Sequence, residues 1–180
     1  MDTRDELDEI IEKPMNDSEI KHYLPNTPLI TYPELGNYKS LDELLPQNKT
    51  YAIILYQDSP NKGHWICVLR YNDEFEYFDS YGNKVDDPLN WVPLGIRKEL
   101  DQNTPYLTDM LKGKKYVWNN KKFQEENPEV ATCGRHCVFR ILNNEENNLN
   151  LEEYKKVMEE MKKHTKLNYD EIVSEYIDLV

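Results

Sequence analysis

The chain has 180 residues, 38% of them hydrophobic and 31% charged, a length that suits one domain with a buried core. Its formal net charge of −12 argues against a nucleic-acid binder and against docking on anionic membranes, since both need a Lys/Arg-rich face. No apolar run approaches the length of a membrane span.

In chain order, residues 1–13 read as a short acidic helix or a frayed arm that Pro14 ends, the acidic arm reaching to about residue 20. Pro25, Pro28 and Pro33 predict extended loop over 22–38, with at most one short strand. Ser40 opens a capped helical turn that Pro46 stops. Runs of Ile, Val, Leu, Tyr and Phe predict strands over 51–57, 64–71 and 74–79. Asn72-Asp73 predicts a tight antiparallel hairpin between the last two. The 64–71 run is largely apolar on both faces, with His64, Ile66 and Val68 on one and Trp65, Cys67 and Leu69 on the other. It is therefore a central, covered strand. A helix over roughly 94–101 and a strand over 115–118 follow. Next come a buried helix over 133–142 and amphipathic helices over 151–164 and 169–179. The expected class is α+β, a small and mostly antiparallel sheet packed against helices. A single domain spans 1–180, with its core at 50–143 and C-terminal helices at 150–180.

Three cysteines, Cys67, Cys133 and Cys137, cannot all pair within one chain, and the acidic N-terminus lacks a signal peptide's apolar core. Reduced thiols and an intracellular location are expected. Lys112, Lys114, Lys115, Lys121 and Lys122 form a local basic patch that reads as solvated surface.

The chemistry concentrates in a few residues. Thr132-Cys133-Gly134 runs into an apolar helix, with Thr132 as candidate N-cap and Cys133 in the first turn. There the backbone N–H groups and the helix dipole favour a thiolate. Gly134 has no Cβ, so a substrate backbone can approach the sulfur. Cys137, one turn further in, and Cys67, in mid-strand, read as packing residues. His64 follows Gly63 at a strand start, where an imidazole can act as base. His22, His136 and His164 lack such a setting. Asp79, across the hairpin, can accept a hydrogen bond from the Nδ1–H of His64 and hold the ring. Trp65 either walls the cleft or packs beneath it.

A zinc site built from His64, Cys67, Cys133 and Cys137 or His136 has the right ligand types. It is disfavoured because His64 and Cys67, three apart on a strand, point to opposite faces. A non-catalytic binding module is the other alternative. No metal and no cofactor are expected.

Gly63-His64-Trp65, Phe78-Asp79-Ser80-Tyr81-Gly82 and Thr132-Cys133-Gly134-Arg135-His136-Cys137 resemble the three motif blocks of the adenain-like cysteine proteases. That group holds the adenovirus maturation protease and, more distantly, the SUMO-specific proteases. The nucleophile block is most similar to proteases of virophages and large DNA viruses. The resemblance covers roughly 50–143 and implies an adenain-like α+β fold, with Cys133 as nucleophile, His64 as base and Asp79 as orienting acid.

It also implies a glutamine that lines the oxyanion hole. Gln124 is the best match, nine positions before Cys133, a longer gap than the family usually shows. Pro128 would mark a bulged loop that absorbs the excess, and Asn127 is the fallback donor. The implied function is a viral cysteine endopeptidase that cuts capsid or scaffold precursors after small, Gly-type residues during virion maturation. It would act as a monomer in the host cytoplasm or virus factory, or packaged in the virion. The alternative is an isopeptidase acting on ubiquitin-like conjugates. Adenain's activation by DNA and a basic peptide does not carry over to so acidic a chain.

Overall fold

Strand formation starts in earnest at Thr50, where Tyr, Ile and Leu replace the prolines of the preceding stretch. In the computed structural model, which describes residues 3–177, five strands form one sheet in chain order. They are β1 (Leu29–Thr31), β2 (Thr50–Ser59), β3 (Lys62–Tyr71), β4 (Glu74–Phe78) and β5 (Tyr116–Trp118). The long central pairings β2–β3 and β3–β4 are antiparallel, while the three-residue edge strands β1 and β5 join in parallel.

Eight α-helices lie among the described residues: α1 (Thr3–Ile11), α2 (Asp17–Tyr23), α3 (Leu41–Leu44), α4 (Leu94–Glu99), α5 (Tyr106–Leu111), α6 (Cys133–Asn147), α7 (Leu151–Thr165) and α8 (Tyr169–Tyr176). The expected α+β class holds. No helix among the described residues is long and apolar enough to cross a membrane.

The chain divides into two compact units. The first comprises Thr27–Asp79 and Asn83–Asn120 and contains the whole sheet. On one sheet face Ala52, Ile54, Ile66, Val68 and Phe75 pack with Leu41 and Leu44 of α3 and Leu107 and Leu111 of α5. Each fully buried aliphatic side chain there contributes on the order of 1.5–3 kcal/mol. Within this core Asp86, itself at φ 66°, gathers hydroxyls. Its Oδ1 accepts from Tyr32 Oη at 2.7 Å and Tyr56 Oη at 2.9 Å, and its Oδ2 accepts from Thr108 N and Oγ1. Tyr56 and Tyr77 share a further hydroxyl contact at 3.2 Å. Burial, reinforced by neighbouring acidic groups, pushes all three phenols well above the ordinary tyrosine range.

Both hairpins of this sheet follow from turn chemistry. Asn72 and Asp73 adopt φ of 51° and 57°, the left-handed pair that a two-residue turn demands. Between β2 and β3 the turn is shorter than the predicted 59–63 loop. Both strands run on to Pro60-Asn61, with a bulge between Gln57 and Ser59. Gly63 pairs with Gln57, and a Cβ there would fall 1.8 Å from the Tyr56 carbonyl oxygen. Only glycine lets β2 come this close immediately before His64.

The second unit comprises the chain up to Asn26, the Ser80–Gly82 link and the chain from Lys121 onward. Three of its helices, α2, α7 and α8, open with the same device, an Asn-x-x-Glu capping box at Asn16, Asn150 and Asn168. Each Asn cap is worth about 1 kcal/mol. Helix α6 is buried from Cys133 through Ile141, longer and more enclosed than the 133–142 expectation. Its buried Arg135 donates to the carbonyls of Lys13 and Ile177, and Ala131 N, just ahead of the helix, donates to Ile11 O at 2.8 Å. The acidic stretch, expected as a short helix or a frayed arm, is helical over Thr3–Ile11, and α1 packs against α8.

Helices α2 and α5 and the 3₁₀ turns Tyr32–Asn37 and Asp87–Trp91 were not predicted. Pro33 was read as marking extended loop, yet it and Pro88 each sit at the start of a 3₁₀ turn, where proline is compatible with helical backbone. Positions 1, 2, 178 and 179 of the predicted terminal helices lie outside the described residues.

Candidate active site

In the sheet unit, β3 carries His64 opposite Tyr56, and the β3–β4 register pairs Cys67 with Phe78. Continuing that register by one residue sets Asp79 level with Ile66, on the face that His64 shares. The consequence is direct: His64 Nε2–H donates to Asp79 Oδ1 at 2.8 Å. Asp79 is fully buried and His64 nearly so. Asn119, just beyond β5, braces the corner by donating Nδ2–H to Asp79 O at 2.7 Å and its backbone N–H to Tyr77 O. The sequence expectation had Asp79 on Nδ1. The structure places it on Nε2, which corrects that detail, because the ring rotamer and the strand register decide which nitrogen meets the carboxylate.

Trp65, next on β3, is buried. The indole of Trp91 meets the imidazole, with ring centroids 5.5 Å apart and a 54° tilt. Trp91 ends the 3₁₀ turn Asp87–Trp91 and is 50% exposed. Sequence reading missed it; the signal was a large aromatic in a short Asp-Pro turn.

In the other unit, Cys133 is the first residue of α6 and is buried, with 9% of its surface exposed and Gly134 buried beside it. Thr132 holds the N-cap position but makes no capping bond; its Oγ1 donates to Asp170 Oδ1 at 2.6 Å. The predicted capping role is therefore corrected: Thr132 sits at φ −100° and ψ 5° rather than in the extended backbone of a side-chain cap, and its hydroxyl is turned to donate to Asp170. Cys137 is wholly buried, one turn along. His136, which had no setting in the sequence, donates Nε2–H to the same Asp170 oxygen at 2.9 Å.

Gln124 is buried and held at both ends of its amide. Oε1 accepts from Ser80 Oγ at 2.7 Å, and Nε2 donates to Val130 O at 3.1 Å. The Ser80 carbonyl accepts from the backbone N–H groups of Phe123 and Gln124. This approach of Ser80–Gly82 to the 121–124 segment depends on Gly82, at φ 76°, where a Cβ would meet the Lys121 carbonyl carbon at 2.8 Å. Asn127 shapes the loop around Pro128 instead: its Oδ1 accepts from Glu129 N and its carbonyl from Val130 N. The Gln124 amide has two N–H donors, of which the bond to Val130 uses one.

Each lysine of the basic patch has a carboxylate partner. Lys112 meets Asp109, Lys114 meets Asp42 and Lys115 meets Glu74, while Lys121 meets Glu159 and Lys122 meets Glu126. Among the described residues no three His, Cys, Asp or Glu side chains converge as a metal site.

No protein-family model matches the chain. The "Uncharacterized protein V9" of Sputnik virophage is 34% identical over 149 residues, covering 81% of this chain and 83% of that protein. The chain belongs to the family of virophage V9. Solved structures of the SUMO protease Ulp1 are also similar. One, with its catalytic cysteine oxidised to a sulfinic acid, has a TM-score of 0.41 at 16% identity, covering 78% of this chain and 72% of that one. Another, the C-terminal Ulp1 domain in complex with Smt3, the yeast ortholog of SUMO, has a TM-score of 0.40 at 15% identity, covering 76% and 67%.

In this V9-family chain the structure brings His64 and Asp79 together within the sheet unit. Cys133, Gly134 and Gln124 belong to the helical unit. Ser80 and Asp170 are the residues whose parts the sequence did not disclose. Ser80 was visible only as a neighbour of Asp79, and Asp170 only as an acidic first-turn residue of α8.

Proposed function

We propose that this protein is an adenain-like cysteine endopeptidase that uses Cys133 as nucleophile, His64 as base, Asp79 as orienting acid and Gln124 as oxyanion donor. The observation that carries the reading is the 2.8 Å His64–Asp79 bond, a buried pairing of base and orienter in a chain whose Cys133 opens a 15-residue helix. With Nε2–H committed to Asp79, the proton-exchanging nitrogen of the reaction is Nδ1.

In the proposed reaction the Cys133 thiol gives its proton to His64 Nδ1, and the thiolate adds to the scissile carbonyl. The oxyanion accepts from Cys133 N–H and Gln124 Nε2–H, a donor set of which each member is worth about 3 kcal/mol. His64 Nδ1–H then protonates the leaving amine as the C–N bond breaks. A water molecule gives its proton back to Nδ1 while it attacks the thioester, and the acid leaves as the Cys133 thiol is restored.

Gly134, lacking a Cβ, and Trp65 are the proposed substrate-lining residues. Trp91 adds a half-exposed apolar surface beside the base. The V9 kinship supports a viral setting. The substrates of this proposal are capsid or scaffold precursors cut after small residues, by a monomer in the host cytoplasm, virus factory or virion.

The test is incubation of the purified protein with candidate capsid precursors and, in parallel, with ubiquitin-like conjugates. Cleavage of the precursors that Cys133→Ala and His64→Ala both abolish, while Cys137→Ala retains it, is the expected result. Conjugates cleaved in preference to precursors would move the substrate class to isopeptidase chemistry. Full activity in Cys133→Ala would end the protease reading. Iodoacetamide is expected to label Cys133 ahead of Cys67 and Cys137, both wholly buried.

A further inference from the structure

We infer that Asp170 is a positioning residue for the proposed acyl-transfer site, its buried carboxylate setting the spacing between the Gln124 loop and the helix mouth that bears Cys133. This rests on the roles proposed above for those two residues.

Asp170 lies in the first turn of α8, on a helix start held by the Asn168–Glu171 capping box. Its side chain is almost wholly buried, and its two oxygens take three donors from distant stretches of chain. Oδ1 accepts from Thr132 Oγ1 at 2.6 Å and from His136 Nε2 at 2.9 Å, and Oδ2 accepts from the backbone N–H of Glu125 at 3.0 Å.

The donors fall in an informative place. Thr132 immediately precedes Cys133, and His136 is one turn further along α6. Glu125 immediately follows Gln124. A single rigid carboxylate therefore ties the residue after the proposed oxyanion donor to the residue before the proposed nucleophile.

Filling this space alone does not call for a carboxylate. A buried charge is costly unless charge-assisted hydrogen bonds compensate it, and an apolar side chain would pack without that burden. What a carboxylate supplies is fixed distance and direction to several donors at once. An oxyanion hole needs that, since its donors must meet the developing charge within tenths of an ångström.

The contacts of Gln124 with Ser80 and Val130 set how its amide is turned. Asp170 sets where the loop stands relative to α6. The aromatic neighbours act in the same direction. Phe123, just before Gln124, stacks on His136 with centroids 6.3 Å apart and meets Tyr169 of α8 edge-on at 5.0 Å.

The experiment compares the full chain with Asp170→Asn, Thr132→Val and Thr132→Ser, using a fluorogenic peptide amide ending in Gly-Gly and thermal melting in parallel. Thr132→Val keeps the shape and removes one donor; Thr132→Ser restores it. Asp170→Asn and Thr132→Val are expected to lower kcat about tenfold or more with KM within about twofold, and Thr132→Ser to keep kcat within about twofold of the parent. Should Asp170→Asn fail to fold, the Val and Ser variants decide alone.

Parental kcat in Thr132→Val, or an equal loss in Thr132→Ser, overturns the positioning role. So does a fall in activity that only follows the melting temperature. None of these touches the protease reading, which instead fails if Cys133→Ala still cleaves the peptide.

Discussion

His64 and Asp79 stand fifteen positions apart in sequence and 2.8 Å apart in space, joined from Nε2 to Oδ1. The bond is a product of the Asn72-Asp73 turn, which fixes the β3–β4 register and with it the position of the residue just past β4. Because Nε2–H is the donor, an amide oxygen at position 79 can accept the same bond. Asp79→Asn is thus expected to lose less activity than Asp79→Ala. His64→Ala should fall by about 10²–10⁴-fold in kcat. Steady-state kinetics on one substrate decide this, and equal losses in Asp79→Asn and Asp79→Ala would contradict the orienting role.

Gln124 and Ser80 should separate in the same assay. Gln124→Ala removes the proposed oxyanion donor, so kcat is expected to drop about 10²–10³-fold with KM little changed. Ser80→Ala keeps that donor but deprives the buried Oε1 of its partner and loosens the amide. A smaller fall in kcat, together with a lower melting temperature, is expected. A larger loss in Ser80→Ala than in Gln124→Ala would place the oxyanion contact elsewhere.

Gly63→Ala tests why glycine precedes the proposed base. With a Cβ 1.8 Å from the Tyr56 carbonyl oxygen, the β2–β3 pair must separate, and overpacking of this kind costs about 1–3 kcal/mol. Urea unfolding should show a lowered midpoint, and activity should fall because His64 moves with its strand. An unchanged midpoint would mean that the hairpin yields freely.

Alkaline stability follows from the tyrosine cluster at Asp86. Tyr32, Tyr56 and Tyr77 hold their protons in the folded state well above the pH at which an unfolded tyrosine releases its own. Above roughly pH 10 the folded chain therefore binds more protons than the unfolded one, and stability falls as pH rises. Three such groups give a slope near 4 kcal/mol per pH unit at most, about 1.4 for each. Urea midpoints between pH 9 and 11 measure it. Tyr32→Phe should flatten the slope, and a slope the same in that variant would contradict the assignment.

Much of the frame was legible locally. Alternating Ile, Leu and Tyr announced β2 and β3, Asn72-Asp73 announced their hairpin partner β4, and Thr132-Cys133-Gly134 announced the start of α6. The Asn16-x-x-Glu19 box is a local signature of α2, whose seven residues lie between Pro14 and Pro25. Helix α5 and the two 3₁₀ turns were hidden because they are short and begin at or near prolines, which mark breaks and helix starts alike.

By itself, then, the sequence determined where the long central strands lie and where α6, α7 and α8 begin, which turn joins β3 to β4, and which cysteine stands at a helix mouth. Those features depend on neighbours a few residues away. Only the tertiary structure decided which imidazole nitrogen meets Asp79, that Thr132 serves Asp170 rather than its own helix, and that Ser80 turns the Gln124 amide. These are bonds between side chains 15 to 44 positions apart. Their donors and acceptors are chosen by packing, and no local periodicity records that choice.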